Sequence, residues 1–175
     1  MSEIARLSIL LEQSGDPRNP SAPELRALLA TTRSVAVVGL SRDTRKPARR
    51  VPSYLATKGL EVIPVNPFAD RLLGRKAHPH LSSVTQPVDM VLVFRPSAEA
   101  GQVLLDTISR PERPAVWLPE GVLAHKAAGA ARSRGLTVVQ DLCIYLAFRE
   151  LDDFVPRPAV PLREALPPPP HDPSV

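Results

Sequence analysis

Val88-Asp89-Met90-Val91-Leu92-Val93-Phe94 is an almost unbroken apolar run, the pattern of a strand covered on both faces. Ser97 follows at once as a cap for a helix through Ile108. Ala115-Val116-Trp117-Leu118 reads as the next strand, and an Ala-rich helix runs from Val122 to Arg134 until Gly135 stops it. Leu136-Thr137-Val138-Val139 then gives a last strand, and a final helix covers about Cys143 to Leu151. Upstream, Val35-Ala36-Val37-Val38 is a short buried strand ending at Gly39. A helix starts near Pro47 and ends at Gly59, and Glu61–Val65 forms the second strand, whose Pro64 favours a less central place. Between Asn66-Pro67 and Val88 lies an irregular piece, with a weak strand around Lys76-Ala77 and a helical turn from His80 to Val84. Strand and helix alternating over short links predict an α/β fold: a doubly wound, mostly parallel, Rossmann-like sheet with helices on both faces.

The ends differ from this middle. Ile4, Leu7, Leu10 and Leu11 recur at helical spacing behind a Ser2 cap, and Gly15 to Pro20 turns the chain. Ser21 and Glu24 form a capping box for a second helix. The expected organisation is an N-terminal helix and turn over 1–20, the sheet domain over 21–151, and a tail over 152–175. Eight prolines fall between residues 156 and 173, so the tail is expected to be extended or disordered.

Composition narrows the function classes. Aromatic residues are 4% of the 175, so the core is aliphatic, while 21 prolines must stand outside helix interiors and central strands. No apolar run reaches the ~18 residues of a membrane span, and the first residues lack a signal-peptide layout, so a cytoplasmic protein is expected. The single cysteine, Cys143, excludes an intrachain disulfide and a four-cysteine zinc site. Residues 42–50 carry five positive charges and one negative, which equals the net +4 of the whole chain. A nucleic-acid binder spreads its charge along a face, whereas one short basic segment suits a small ligand with several phosphates.

In an open α/β sheet, ligands bind beyond the carboxyl ends of the strands, here at 39–47, 66–68, 94–97, 118–121 and 140–143. A dinucleotide fingerprint needs glycines at 39, 41 and near 44, yet only Gly39 is present. The second strand ends in Asn66, where an NAD enzyme places an acid for the ribose. A helix start, Ser41, Arg42, Arg45, Lys46, Arg49 and Arg50 suit phosphate, although the same segment also reads as a solvated basic loop. Arg95 lines a pocket or simply begins a loop, and Glu120 is a site residue or only a first-turn acid. His78-Pro79-His80 lacks a third metal ligand at sensible spacing, and no nucleophile elbow, P-loop or catalytic triad can be assigned.

Taken in order, Val37-Val38-Gly39-Leu40-Ser41, Lys46-Pro47, Val62-Ile63-Pro64-Val65-Asn66-Pro67, Val88 to Arg95, Val116-Trp117-Leu118, Gly121-Val122 and Asp141 with Cys143-Ile144 resemble a known family. These are the small stand-alone CoA-binding proteins, which are similar to the N-terminal domain of the succinyl-CoA synthetase alpha subunit. The resemblance implies that Gly39, Leu40, Ser41 and Lys46, with Arg42 and Arg50 beside them, hold phosphate groups of coenzyme A. It implies that Asn66 and Pro67 border the nucleotide, that Phe94, Arg95 and Pro96 shape the crevice floor, and that Leu118 and Glu120 belong to a loop near the cofactor. The chain departs from the family's pattern at Ala48-Arg49, at Pro119-Glu120 and at Leu142.

The resulting expectation is a non-catalytic protein that binds CoA or an acyl-CoA, as a sensor or regulator, without nucleic-acid or membrane partners. Two rivals stand beside it: an NAD(P)-dependent oxidoreductase, and an interaction module acting through the proline-rich tail. Cys143 is a candidate for a mixed disulfide with CoA under oxidation.

Overall fold

The computed structural model describes residues 1–151. The tail readings, both its extended form and its role as an interaction module, lie outside the described residues.

Five parallel strands make the main sheet: β1 (Ser34–Val38), β2 (Glu61–Val65), β5 (Met90–Val93), β6 (Ala115–Trp117) and β7 (Val138–Val139). The hairpin β3 (Arg71–Leu72) and β4 (Arg75–Lys76) stands apart as a small antiparallel pair. The order β2-β1-β5-β6-β7 reverses direction between β1 and β5. That reversal is the switch point at which an open α/β sheet offers a crevice. Pro64 sits in the edge strand β2, where its missing N–H leaves no central ladder bond unmade.

Six helices cover the sheet: α1 (Glu3–Glu12), α2 (Ala22–Thr31), α3 (Pro47–Thr57), α4 (Ser97–Ile108), α5 (His125–Ser133) and α6 (Ile144–Arg149). Side chains alternate across each strand, so Val35, Val37, Met90, Leu92 and Trp117 face a core shared with α1, α2, α3 and α6. Ala36, Ile63, Val91, Val93 and Val116 face the other core, under α4 and α5. Apolar residues on both faces explain why the strands read as continuous runs. Among the described residues no helix is long and apolar enough to cross a membrane.

The first helix is part of this core. Leu7 is fully buried, and the Arg6 guanidinium meets the carboxylate of Glu150 at 2.9 Å. The turn after α1 is pinned just as firmly: Asn19 exchanges hydrogen bonds with the backbone of Gln140, and Asp16 accepts from Gln140 and Arg132. Ser2 caps α1, and the Ser21–Glu24 capping box opens α2.

Several boundaries differ from the sequence expectation for visible reasons. Ser97 is the first residue of α4 rather than its cap, which is Pro96, and the Ser97 hydroxyl instead accepts from the backbone of Leu123. Helix α5 begins at His125, not Val122, because residues 119–124 are held as a turn. Val122 donates to the Pro119 carbonyl, Gly121 takes φ 82°, and the Gln140 side chain binds Ala124 N–H. The last strand shortens to Val138–Val139 because Leu136 N–H closes the end of α5 on the Ala131 carbonyl. Strand β5 is shorter than 88–94 because Asp89 turns its carboxylate onto the N–H groups of Arg33 and Ser34.

Candidate functional site

The carboxyl ends of β1, β2 and β5 are drawn together at Gly39. Its N–H donates to the Val65 carbonyl at 2.9 Å, and Phe94 N–H donates to the Val38 carbonyl at 2.8 Å. Gly39 has φ 85°, and a Cβ built there would lie 2.3 Å from the Phe94 carbonyl oxygen. Only glycine fits, both for conformation and for space.

Asn66 makes the second tie. Its Nδ2 donates to the Leu40 carbonyl at 2.9 Å, its Oδ1 accepts from Phe68 N–H at 2.8 Å, and its own N–H donates to the His78 carbonyl. An acid at this position has no hydrogen to give Leu40. The departure from the dinucleotide pattern therefore has a structural reason: the amide holds the β1 and β2 loops together.

The basic loop is ordered from within. Ser41 Oγ accepts from Asp43 N–H, and both oxygens of the Asp43 carboxylate accept from the Arg45 side chain at 3.0 Å. That side chain, together with Arg45 N–H, holds the Asp43 carboxyl below the usual carboxylate range. Arg45 thus neutralises the segment's one acid. Lys46 occupies the N-cap position of α3 with no side-chain capping bond, and no acidic residue stands in the helix's first turn. An uncapped helix start with cations beside it attracts anions.

These loops enclose a cleft of about 780 Å³, in the range of ligand sites. Its lining includes Gly39, Ser41, Arg42, Lys46, Asn66, Pro67, Phe94 and Arg95, so eight of the thirteen nominated residues come together. Leu40 and Leu118 are fully buried in the two cores and have no side-chain surface to offer. Arg50 is exposed on α3, Pro96 caps α4, and Glu120 is exposed in the turn after β6; none of the three lines the cleft. Cys143, at the N-cap of α6, is part-exposed, makes no side-chain capping bond and lies off the cleft lining. Among the described residues no group of three His, Cys, Asp or Glu is placed to hold a metal ion.

The cleft has two unlike ends. At one, Arg42 and Lys46 flank the start of α3; the Arg42 guanidinium donates to the Phe68 carbonyl, and Lys46 makes no ion pair among the described residues. Arg95 is already paired with Glu99 at 2.7 Å. At the other end, Val65, Pro79, His80 and Leu81 face Val103 and Asp106 of α4. This second wall was missed by sequence reasoning. It exists because residue 78 folds back along the outer edge of β2, with His78 N–H bonded to the Pro64 carbonyl. Phe68, 81% exposed on the rim, was missed as well.

Residues 33–149 match the CoA binding domain family. The chain belongs to that family. A Bacillus subtilis relative, the uncharacterized protein YneT, is 35% identical over 130 residues, covering 74% of this chain and 96% of its own. A solved structure from Thermus thermophilus superposes with a TM-score of 0.69 at 35% identity, over 74% of this chain and 98% of that one. An Archaeoglobus fulgidus protein named acetate–CoA ligase (ADP-forming) II is 31% identical over 114 residues, which is 64% of this chain but 17% of the ligase. The CoA-binding domain here is therefore matched end to end by small relatives, and by one portion of a much larger enzyme.

Proposed function

We propose that the cleft at the β1/β5 switch point binds coenzyme A or an acyl-CoA, and that the protein carries or senses this ligand without chemistry of its own. The observation that carries the reading is the cationic end of the cleft. Arg42 and Lys46, neither in an ion pair among the described residues, share the cleft lining, and Lys46 stands at the uncapped start of α3. CoA brings a pyrophosphate and a separate 3′-phosphate, and this is the end that suits them. The apolar arm between Leu81 and Val103, with Val65 at its base, suits the adenine ring. An anionic residue there, Asp106, directs the phosphates away from the arm and toward Lys46. Membership of the CoA-binding domain family supports the same ligand.

The non-catalytic part of the reading rests on how the polar groups are used. Ser41, Asn66 and Asp43 spend their hydrogen bonds on fixing loops, which leaves a rigid cradle rather than a reactive constellation. The test is isothermal titration of the full chain with CoA, dephospho-CoA, NADH and NADPH. CoA is expected to bind, and to bind more weakly once the 3′-phosphate is removed. Heat with NADPH and none with CoA would overturn the reading in favour of an oxidoreductase.

A further inference from the structure

Arg110 lies two residues beyond the end of α4 and is not among the residues lining the cleft. Its guanidinium is nonetheless engaged on nearly every side. Nη1 donates to the carbonyls of Leu81 at 3.2 Å and Val84 at 3.0 Å, and Nη2 donates to Gln86 at 2.9 Å. Nε meets the Glu112 carboxylate at 2.6 Å, and the same carboxylate oxygen accepts from Val88 N–H. The three carbonyls run from Leu81, within the cleft wall at Pro79–Leu81, into the segment that follows it.

That segment has little structure of its own. It contains a single 3-10 turn, Leu81–Ser83, closed by Ser83 N–H on His80 and Val84 N–H on Leu81. Short 3-10 turns have poor hydrogen-bond geometry and need support from outside. The facing wall of the cleft is α4 itself, through Val103 and Asp106. Arg110 therefore ties one wall to the end of the helix that forms the other. Its planar fork sets the spacing between them in a way that a single-headed lysine does not.

Resting on the CoA reading above, we infer that Arg110 is a positioning residue for ligand binding, holding the Pro79–Leu81 wall of the cleft's apolar arm in place against α4. Pre-organising a wall before the ligand arrives removes an ordering cost from binding. The effect is specific to the arm. The cationic end is built from α3 and the β1 loop, which Arg110 does not touch.

The experiment measures dissociation constants for CoA and for inorganic pyrophosphate with the unaltered full chain and with Arg110→Ala, Arg110→Lys and Glu112→Gln. Arg110→Ala is expected to weaken CoA tenfold or more while pyrophosphate stays within twofold, with Arg110→Lys in between. Should Arg110→Ala fail to fold, Arg110→Lys and Glu112→Gln carry the test, each expected to weaken CoA at least threefold with pyrophosphate unchanged. CoA affinity within twofold of the unaltered protein in the folded variants would overturn the inference. So would equal losses for CoA and pyrophosphate, the sign of a merely structural residue. No CoA binding by the unaltered protein would instead bring down the CoA reading, and this inference with it.

Discussion

Replacing Gly39 with alanine tests the joint on which the cleft is built. Two costs are separable. A residue with a Cβ at φ 85° is strained by about 1–2 kcal/mol. The new Cβ would also lie 2.3 Å from the Phe94 carbonyl oxygen, against a 3.0 Å floor for real contacts, so β1 and β5 must part by about 0.7 Å. Forcing extra volume into such a place costs about 1–3 kcal/mol more. The expected loss is thus about 2–5 kcal/mol, or roughly 5–15 °C in Tm for a chain of this length. Two other glycines isolate the contributions. Gly121 has φ 82° with nothing within 4 Å of an added Cβ, so Gly121→Ala should cost only the strain. Gly129 lies inside α5 in open space, so Gly129→Ala should stabilise by about 0.5–1 kcal/mol. Thermal and urea unfolding of the three variants should rank Gly129→Ala highest and Gly39→Ala lowest. Gly39→Ala melting at or above Gly121→Ala would refute the close approach of the two strand ends.

Lys46→Glu should weaken CoA by about 1.5–3 kcal/mol in a binding titration, with the ligand-free Tm nearly unchanged. Arg45→Ala should also weaken it, though by less, since it releases the Asp43 carboxylate beside Lys46. Asn66→Asp should destabilise by about 1–3 kcal/mol, because it strands the Leu40 carbonyl, and urea unfolding would show it. Asp16 carries a pH dependence. Burial alone would raise its pKa, but Arg18 N–H, the Gln140 amide and the Arg132 guanidinium outweigh this and hold it below its ordinary value. A folded-state pKa that is lowered stabilises the protein above the unfolded value, near pH 4, and that stability is lost as pH falls through the folded value. Unfolding curves of the native chain and Asp16→Asn should therefore differ by about 2 kcal/mol at neutral pH and converge in acid.

Much of the fold was legible because its signals are local. Continuous apolar runs marked strands buried on both faces, and Ser2, Ser21 with Glu24, Pro47 and Gly135 marked helix ends by their own chemistry. The errors fall where a distant group overrides a local preference. Ser97 would cap α4 by propensity, yet its hydroxyl serves Leu123, and the start of α5 is delayed by Gln140 from the far side of β7. The same division runs through the site. Gly39, Ser41, Lys46 and Asn66 stand next to strand ends, and the strand pattern points to them. The wall at Pro79–Leu81 depends on a fold-back along β2 and on Arg110, thirty residues downstream, which no local pattern announces. Leu40 and Leu118 were nominated for their place in a motif. Leu118 continues the alternation of β6 into the core under α4 and α5, while Leu40, past the positive-φ turn at Gly39, packs into the opposite core.

On the proposal above, coenzyme A occupies the cleft formed by the β1, β2 and β5 loops. Hydrogen–deuterium exchange of the full chain with and without saturating CoA tests it most directly. Slowed exchange is expected in residues 39–50, 66–68, 79–84 and 94–106, with the N-terminal edge of the sheet around 31–33 and 110–113 unchanged. Protection confined to 118–123 and 141–145, or no protection in a sample where CoA is bound, would rule out occupation of this cleft.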